Sequence, residues 1–513
     1  MRARSAQVVR LAPGLNDRAQ YEDHPKTTSH RLFHRHKAQE TAIPDKIPTG
    51  RAMWITFVLM LASNLMASLT QSLMNIALDR AASDFHITLS MANWLVLGFT
   101  IVAATMITMA ASILKRFGIR KVMLFGYIAA FLGSLLGLFA VNFEMMLGAR
   151  LIQALTVGLF FPVITSVILT IAPMGKQALF LAINSGVIGV GLAFAPLLSG
   201  VILTYAGLRA LFLVPIVLTI ILMAFGHFIL HDMYEREDRK IDALSVVLSF
   251  VGAAAFIYGL NEITKDALPS ALIMAAGIAV LGIFAWRQNR LETPLLNLSP
   301  LRNKRFAIGE VLLMLGYMGS IFMSLLVPLY LEGTAGYSAS IVGCVLCIPI
   351  LCYAASCIIS GRIEDKHGIW PVVPFGFMML TVGFIGLGFT SSVMAVVLLL
   401  VFVACSYIGV GFLFPTLKAS DLAALSQDVY SFGSSIHSVL VQAAGSVGSA
   451  LFVGVMSADV ARSVAEGTSK ADAYASGFSH TILIALAIIA TAFIGSVIYS
   501  IYLHRKRKQE GKI

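Results

Sequence analysis

Fourteen apolar runs, each near the ~20 residues that cross a hydrocarbon core, follow one another from Ala52 to the end of the chain. Their approximate positions are 53–78, 92–114, 122–141, 145–172, 177–204, 210–230, 243–261, 270–286, 307–331, 338–360, 371–390, 393–416, 431–457 and 477–503. A segment in lipid must satisfy its own backbone hydrogen bonds, so each run is predicted to be a helix. The composition agrees, because 58% hydrophobic and 12% charged residues leave too little polar surface for a soluble chain of 513 residues. The sequence therefore predicts an all-α, polytopic membrane protein with fourteen transmembrane helices.

Two polar segments, 231–240 and 287–305, divide the runs into groups of six, two and six. This grouping predicts two six-helix bundles joined by two linker helices. The expected boundaries are 1–50 for a disordered cytoplasmic tail, 51–231 for the first bundle, 232–290 for the linker helices, 291–503 for the second bundle and 504–513 for a basic cytoplasmic tail. The first 50 residues combine prolines with many charges and lack the apolar core of a signal peptide, which is typical of disorder.

Basic residues are unevenly divided between the two sides of the predicted membrane. Of the 37 Lys and Arg, 31 fall on the side of the termini and 5 on the other, while Arg150 lies inside a run. The positive-inside rule assigns the richer side to the cytoplasm, which predicts a multi-pass protein of a bacterial cell membrane with both termini cytoplasmic. The net charge of +11 thus reflects topology, and no nucleic-acid partner is predicted.

The cysteines and the short motifs exclude several classes of protein. The five cysteines form no spaced disulfide framework and are expected to be reduced, buried thiols. Cys344 and Cys347 make a CxxC without a neighbouring His, Asp or second CxxC, so no metal site is predicted. The sequence contains neither a GxxxxGK[ST] loop nor an HExxH helix, and an enzyme is therefore the least favoured class. No cofactor and no obligate protein partner is predicted.

Two turns carry related sequences in the two groups of six. ASILKRFGIRK (111–121) and SGRIEDKHGIW (360–370) each follow an apolar run and place a glycine after basic residues. Recurrence at corresponding positions is typical of internally repeated transporters. At these turns the sequence resembles the major facilitator superfamily, and the count of fourteen resembles that superfamily's fourteen-helix drug:proton antiporter family. The residues that the resemblance implicates in gating here are Gly118, Arg120, Lys121, Gly361, Asp365 and Gly368.

Other stretches carry the same resemblance. GARLIQALTVG (148–158) is similar to the family's fourth-helix motif through Arg150 and Gln153, and GVIGVGLAFAPLLSG (186–200) is similar to its fifth-helix antiporter motif. In the second of these, Gly191, Pro196 and Gly200 occupy motif positions. VPLYLEGTAGYSASIVGCVLCIP (327–349) resembles the family's ninth-to-tenth helix turn, and LETPLLNLSPLRNKRF (291–306) resembles its inner connector. The resemblance implies two bundles of the major facilitator type and proton-driven export by alternating access.

Two departures from the family pattern remove acids. Lys115 stands where the first turn usually has an aspartate, whereas Asp365 keeps the acid of the second turn. SLTQSLMNIAL (68–78) resembles the first-helix motif, with Thr70 at its acidic position and Asn75 retained. An antiporter that depended on these acids cannot work unchanged here.

The fifth run combines small residues with a proline. Gly186, Gly189 and Gly200 let a neighbouring helix backbone approach closely. Pro196 removes one backbone hydrogen bond, which predicts a bend and a freed carbonyl that neighbouring groups satisfy. Such a helix can seal one bundle against the other in one state of a transport cycle. The alternative is a well-packed, kinked helix with no gating role.

Three ionisable residues lie inside runs and are the predicted proton-coupling or translocation residues: Glu310, Arg150 and His437. A charge in hydrocarbon is costly and is usually functional. Glu310 can bind a proton on one side and release it on the other, or else it snorkels to the inner interface. Arg150 either tunes a nearby acid or forms structural hydrogen bonds at helix ends. His437 either relays protons or packs as a satisfied polar residue.

The function that these observations predict is secondary active multidrug efflux: export of small hydrophobic compounds across the lipid bilayer by proton antiport. Abundant Phe, Met and Tyr suit lipophilic substrates of varied shape, although the same residues also face lipid. The nearest alternative is an uncoupled facilitator or an exporter of an endogenous metabolite. From another class, a transport-inactive membrane sensor or scaffold is compatible with the tail and the lost acids.

Overall fold

The computed structural model describes residues 47–233, 236–238, 240–263, 266–337, 339–391 and 396–509. Within these residues all regular structure is helical, and fourteen helices are long and apolar enough to cross a membrane. The predicted number of spanning helices is therefore confirmed. The predicted disordered tail lies almost entirely outside the described residues.

The helices follow the six, two and six grouping. The first bundle contains α1 (Gly50–Ser72), α2 (Trp94–Phe117), α3 (Ile119–Leu138), α4 (Phe143–Ile171), α5 (Gln177–Tyr205) and α6 (Leu213–Ile229). The linker helices are α7 (Ala243–Glu262) and α8 (Ala267–Gln288). The second bundle contains α9 (Lys304–Ala335), α10 (Ala339–His367), α11 (Ile369–Ser391), α12 (Val396–Leu422), α13 (Tyr430–Ala465) and α14 (Lys470–Gln509). Short helices Leu78–Asp84 and Leu89–Ala92 connect α1 to α2.

The first helix is shorter than predicted. α1 ends at Ser72 rather than at residue 78, so Asn75 lies in an exposed turn and not in the first helix, where the sequence placed it. The reason is Arg150, whose guanidinium donates to the carbonyl oxygens of Thr70 at 2.8 Å and Gln71 at 3.4 Å. Because these oxygens would otherwise accept the next backbone N–H groups of the helix, Arg150 terminates it.

Several other helices are longer than predicted. α12 continues to Leu422 instead of ending near residue 416, and α2 continues to Phe117. α14 runs through most of the basic segment 504–513. In α2 and α12 the added turns contain buried charged residues, Lys115, Lys418 and Asp421, that contact protein. The predicted ends mark where the sequence stops being apolar. A helix ends instead where its backbone hydrogen bonds stop, which can be several residues later.

The fifth helix of each bundle contacts the other bundle. α5 packs against α10 and α12, and α13 packs against α2 and α4. Two hydrogen bonds show the contact directly: Ser434 Oγ on α13 donates to Pro162 O on α4 at 2.8 Å, and Tyr353 Oη on α10 donates to Ser185 O on α5 at 3.2 Å. The two bundles are thus joined by a pair of related helix crossings.

Small residues in α5 produce the close packing that the sequence predicted. A Cβ at Gly189 would overlap the ring of Tyr353 on α10, and one at Gly191 would lie 2.7 Å from Ser68 Cβ on α1. At Gly200, by contrast, no atom lies near the Cβ position, so this glycine has no packing role. The carbonyl of Leu192, freed by Pro196, accepts a hydrogen bond from Ser72 Oγ at 3.3 Å. A neighbouring side chain therefore satisfies the carbonyl, as expected.

The linker helices pack on each other, and α7 also lies against α2. At the start of α7 the Asp242 carboxylate accepts hydrogen bonds from Arg287 Nε at 2.8 Å and Nη2 at 3.1 Å. This contact with Arg287 lowers the pKa of Asp242 to about 2. The contribution of this contact to folding stability is complete above the ordinary aspartate pKa and is lost as the pH falls toward about 2.

Candidate functional site

Glu310 and His437, which the sequence singled out separately, form a pair. Glu310 lies in the second turn of α9 and His437 in the second turn of α13. Glu310 Oε1 is 3.1 Å from His437 Nδ1, and the two residues are 1% and 2% exposed. The alternative in which Glu310 snorkels to the interface is therefore wrong. The alternative in which His437 is a satisfied polar residue is compatible with this contact.

Next to the pair lie an aromatic ring and the contact between α13 and the first bundle. The ring centroid of Phe414 lies 5.7 Å from that of His437. One turn before His437, Ser434 binds α4 of the first bundle. A carboxyl and an imidazole at hydrogen-bond distance can hold one proton between them, and either can release it. His437 lies on α13, the helix of the second bundle that contacts the first. Protonation of the pair can therefore be linked to the relative position of the two bundles.

The first bundle has a neutral contact between the corresponding helices. Asn64 on α1 donates from Nδ2 to Asn184 Oδ1 on α5 at 2.7 Å, and both residues are fully buried. In both bundles the first and fifth helices are thus joined by a buried polar pair. The pair of the second bundle is titratable, whereas the pair of the first bundle is not.

Arg150 lies in a separate polar cluster of the first bundle. Besides the end of α1, it donates to Gln153 Oε1 at 2.9 Å and to Leu95 O at 3.4 Å. Its guanidinium carbon is 4.1 Å from the ring centroid of Phe99. Gln153 in turn donates to Ser134 Oγ at 2.8 Å. These contacts match the structural alternative, because they tie together α1, α2, α3 and α4 and leave Arg150 apart from Glu310.

Arg150→Ala should therefore destabilise the protein. We expect a loss of about 3 kcal/mol or more, because several hydrogen bonds to a buried charged group, each contributing about 1.5–3 kcal/mol, are removed. Thermal unfolding in detergent, followed by intrinsic fluorescence, measures the effect. Arg302→Ala is the matched control, since Arg302 is exposed. An unchanged unfolding midpoint for Arg150→Ala combined with lost transport would instead assign Arg150 to coupling.

Asp365 caps α5 from the other bundle. Its Oδ1 accepts from Ala178 N and its Oδ2 from Leu179 N, each at 3.1 Å. Gly361, one turn earlier in α10, permits this approach, because a Cβ there would lie 2.6 Å from Ala182 Cβ. A carboxylate at a helix N-terminus satisfies free N–H groups and interacts favourably with the helix dipole. The second repeated turn thus fastens α10 to the start of α5.

Lys115 occupies the related position in the first turn, at the start of α13. Its Nζ donates to Asp428 O at 3.2 Å, lies 3.8 Å from Glu237 Oε1 and is 4.3 Å from the ring centroid of Phe432. A cation beside a helix N-terminus is unfavourable with the helix dipole, and these three groups offset that cost. The contact predicted to be lost with the aspartate is therefore replaced by a different one.

The remaining predicted site residues lie at the two turns and in α1, and most of them have structural contacts. Gly118 and Gly368 have positive φ values of 80° and 74°, which suit glycine at the junctions of α2 with α3 and of α10 with α11. Arg120 N donates to Asp232 Oδ1 at 3.1 Å, and Arg120 Nη2 donates to His227 O at 3.3 Å. Lys121 is exposed. Thr70 is buried, and its hydroxyl donates to Met66 O at 2.8 Å.

Sequence reasoning missed two buried charges. Lys418 and Asp421 were placed in an inner loop, but they lie in the last turns of α12 and are 3% and 0% exposed. Their neighbour is Glu310, which interacts electrostatically with both. A usable signal was present, because residues 416–422 contain neither Gly nor Pro to stop the helix. Burial was overestimated for the thiols, since of the five predicted to be buried only Cys357 is, and Cys344 is exposed.

Comparisons with known proteins agree with this architecture. A family model described as Major Facilitator Superfamily matches residues 60–449. The chain is 25% identical over 456 residues to the lincomycin resistance protein LmrB of Bacillus subtilis (strain 168), covering 85% of this chain and 94% of that protein. It is 23% identical over 403 residues to the riboflavin transporter RibZ of Clostridioides difficile (strain 630), covering 78% and 87%. The structure of the human organic anion transporter MFSD10 has the same fold, with a TM-score of 0.59, 14% identity and coverage of 87% and 99%.

Proposed function

The chain belongs to the major facilitator superfamily, and we propose that it exports hydrophobic compounds from a bacterial cell in exchange for protons. It is a multi-span membrane transporter. Relatives of similar length include a lincomycin resistance protein, which favours efflux of a drug-like substrate. The contact between Glu310 and His437 carries the proposal of proton coupling, because it is a buried titratable pair and His437 lies on α13, the helix that contacts the first bundle.

The exchange runs by alternating access. In the conformation described, Asp365 and Lys115 hold the bundles together at the end where the repeated turns lie. With both termini in the cytoplasm, this end is the inner one, so the described conformation is closed toward the cytoplasm. Proton uptake by Glu310 weakens its contact with His437 and allows α13 to shift against α4. Release of the proton inside restores the contact and the closed inner end.

The other predicted site residues have supporting roles in this proposal. Arg150, Gln153 and Thr70 position α1 and α4 and carry no proton. Asp365, with Gly361, closes the inner end by capping α5. Gly191 and Pro196 let α5 fit between α1 and α10. Soft apolar side chains between the bundles receive the substrate without a fixed shape.

Ethidium transport into everted membrane vesicles tests the proposal. Vesicles containing the protein and acidified inside should accumulate this lipophilic cation severalfold above vesicles without the protein. Collapse of the pH gradient and the membrane potential together with a protonophore should remove the difference, because proton exchange drives the accumulation. Absence of transport by a folded protein would contradict the proposal and favour a sensor or scaffold.

A second candidate is an uncoupled facilitator or an exporter of an endogenous metabolite. The riboflavin transporter among the relatives favours it, because that protein is named for a metabolite. The same vesicles discriminate the two candidates. Uptake of riboflavin that persists after both the pH gradient and the membrane potential are collapsed would support the facilitator.

A further inference from the structure

Asp421 is a buried carboxyl without a hydrogen-bond partner. It lies in the last turn of α12 and is 0% exposed. Neither Oδ1 nor Oδ2 has a hydrogen-bond partner among the described residues. The carboxyl lies directly against the backbone of α9, because a Cβ at Gly309 would overlap it. Gly309 is the residue before Glu310, so the two carboxyls share one site.

Charged and titratable groups from every neighbouring helix face this site. They are Arg305 and Glu310 on α9, Glu364 on α10, Lys418 on α12, His437 on α13 and Tyr499 on α14. Arg305 is held in place, since its Nη2 donates to Ser420 Oγ at 2.8 Å and its carbonyl accepts from Tyr499 Oη at 3.0 Å. The site therefore contains acids and compensating cations together.

We propose that Asp421 carries a second exchangeable proton, so that each cycle moves two protons for one substrate. The inference rests on the proposed function and names the stoichiometry of that same site. An ionised carboxylate deprived of any hydrogen-bond donor is strongly disfavoured in a dry interior. In the conformation described, Asp421 is therefore the protonated acid, while Glu310 has His437 as its partner.

Both carboxyls can be ionised together only if cations approach them, because adjacent carboxylates repel each other. Lys418 and Arg305 provide that compensation. When the inner end opens, the O–H bond of Asp421 breaks and its proton passes to water, while Arg305 neutralises the carboxylate. When the outer end opens, a proton from water restores the acid. Because Arg305 acts on Asp421 and Lys418 on Glu310, both of these acids can lose a proton and regain it in one cycle.

Infrared spectroscopy tests the protonation directly. Purified protein at neutral pH should show the carbonyl absorption of a protonated carboxylic acid, and Asp421→Asn should lose it. Thr416→Val is the matched control, since Thr416 is also a buried polar residue of α12 whose hydroxyl has no hydrogen-bond partner among the described residues. This control should keep the band. A wild-type protein without any such absorption would overturn the proposal, whatever the transport assays show.

Stoichiometry is tested in proteoliposomes with ethidium, a monovalent cation. Two protons entering for one ethidium leaving move one net charge inward, so an inside-negative potential set by potassium and valinomycin should drive export without a pH gradient. One-for-one exchange would be insensitive to the potential, and uniport of the cation would be opposed by it. Wild type should respond to the potential, and Asp421→Asn should lose this response while keeping export driven by a pH gradient.

The outcomes separate the two proposals. If a pH gradient drives export by wild type but a potential does not, Asp421 carries no second proton and the proposed antiport stands. The same conclusion follows if Asp421→Asn keeps the response to the potential. If a pH gradient does not drive wild type, the proposed antiport fails and the two-proton exchange fails with it. Asp421→Ser provides a second variant in case Asp421→Asn does not fold, and the wild-type measurements need neither.

Discussion

Glu310→Gln is expected to reduce ethidium accumulation driven by a pH gradient to the level of vesicles without the protein. Glutamine keeps the size of the side chain and a hydrogen bond to His437, but it cannot exchange a proton between pH values found in cells. Glu310 is 1% exposed and His437 is 2% exposed in the conformation described. Bulk water therefore does not reach this position to exchange the proton in place of the lost carboxyl. Binding of ethidium should remain, because the change removes coupling rather than the substrate cavity.

The control for this variant is Asn64→Ala. Asn64 joins α1 to α5 in the first bundle as Glu310 joins α9 to α13 in the second, but it cannot titrate. We expect Asn64→Ala to lower stability, since Asn184 is left buried with a missing partner, and to keep the response to a pH gradient. If both variants lost coupling equally, the polar contact between helices rather than the proton would be essential.

The second large effect is expected for Asp365→Ala. The carboxylate caps α5 with two hydrogen bonds of 3.1 Å, and such a cap contributes about 1–2 kcal/mol. Its loss should shift the balance toward the state with an open inner end by about tenfold, since about 1.4 kcal/mol corresponds to that factor. The native thiol of Cys357 reports the shift, because Cys357 is fully buried and its Cβ lies 3.5 Å from the Cβ position of Gly186, where α10 meets α5.

Alkylation of Cys357 by a membrane-permeant maleimide, located by mass spectrometry, should therefore accelerate about tenfold in Asp365→Ala. Cys344 is exposed and serves as the internal reference, with an unchanged rate. Lys115→Met should have a smaller effect, because the ammonium of Lys115 opposes the dipole of α13 and only its local contacts favour closure. An equal or larger effect of Lys115→Met would show that the two turns close the inner end alike.

The sequence predicts most of the fold because lipid imposes length and apolar composition on every spanning helix. It predicts helix ends less well, since these depend on partners distant in sequence. Arg150 ends α1 through Thr70, 80 residues away, and no local pattern contains that contact. The extension of α12 to Asp421 could have been predicted from the sequence, because neither Gly nor Pro follows Pro415 within that turn.

The candidate site was predicted as separate residues and not as an arrangement. Glu310 stood out as an acid inside an apolar run, and His437 as a histidine inside another, but 127 residues separate them. Their contact arises because α9 packs against α13, which is a property of the bundle. Family motifs pointed to Arg150 and the two turns, whereas Asp421 belonged to no recognised motif and was assigned to a loop.

Proton release on substrate binding tests the coupling of Glu310 to transport most directly. Ethidium is added to purified protein in weakly buffered detergent solution, binding is followed by fluorescence polarisation, and the pH change is recorded with a soluble dye. Wild type and Asn64→Ala should release protons as ethidium binds. Glu310→Gln should also bind ethidium, but it lacks the carboxyl that gives up the proton, so the number of protons released should fall sharply. Undiminished release from Glu310→Gln would contradict the assignment of coupling to Glu310 and His437.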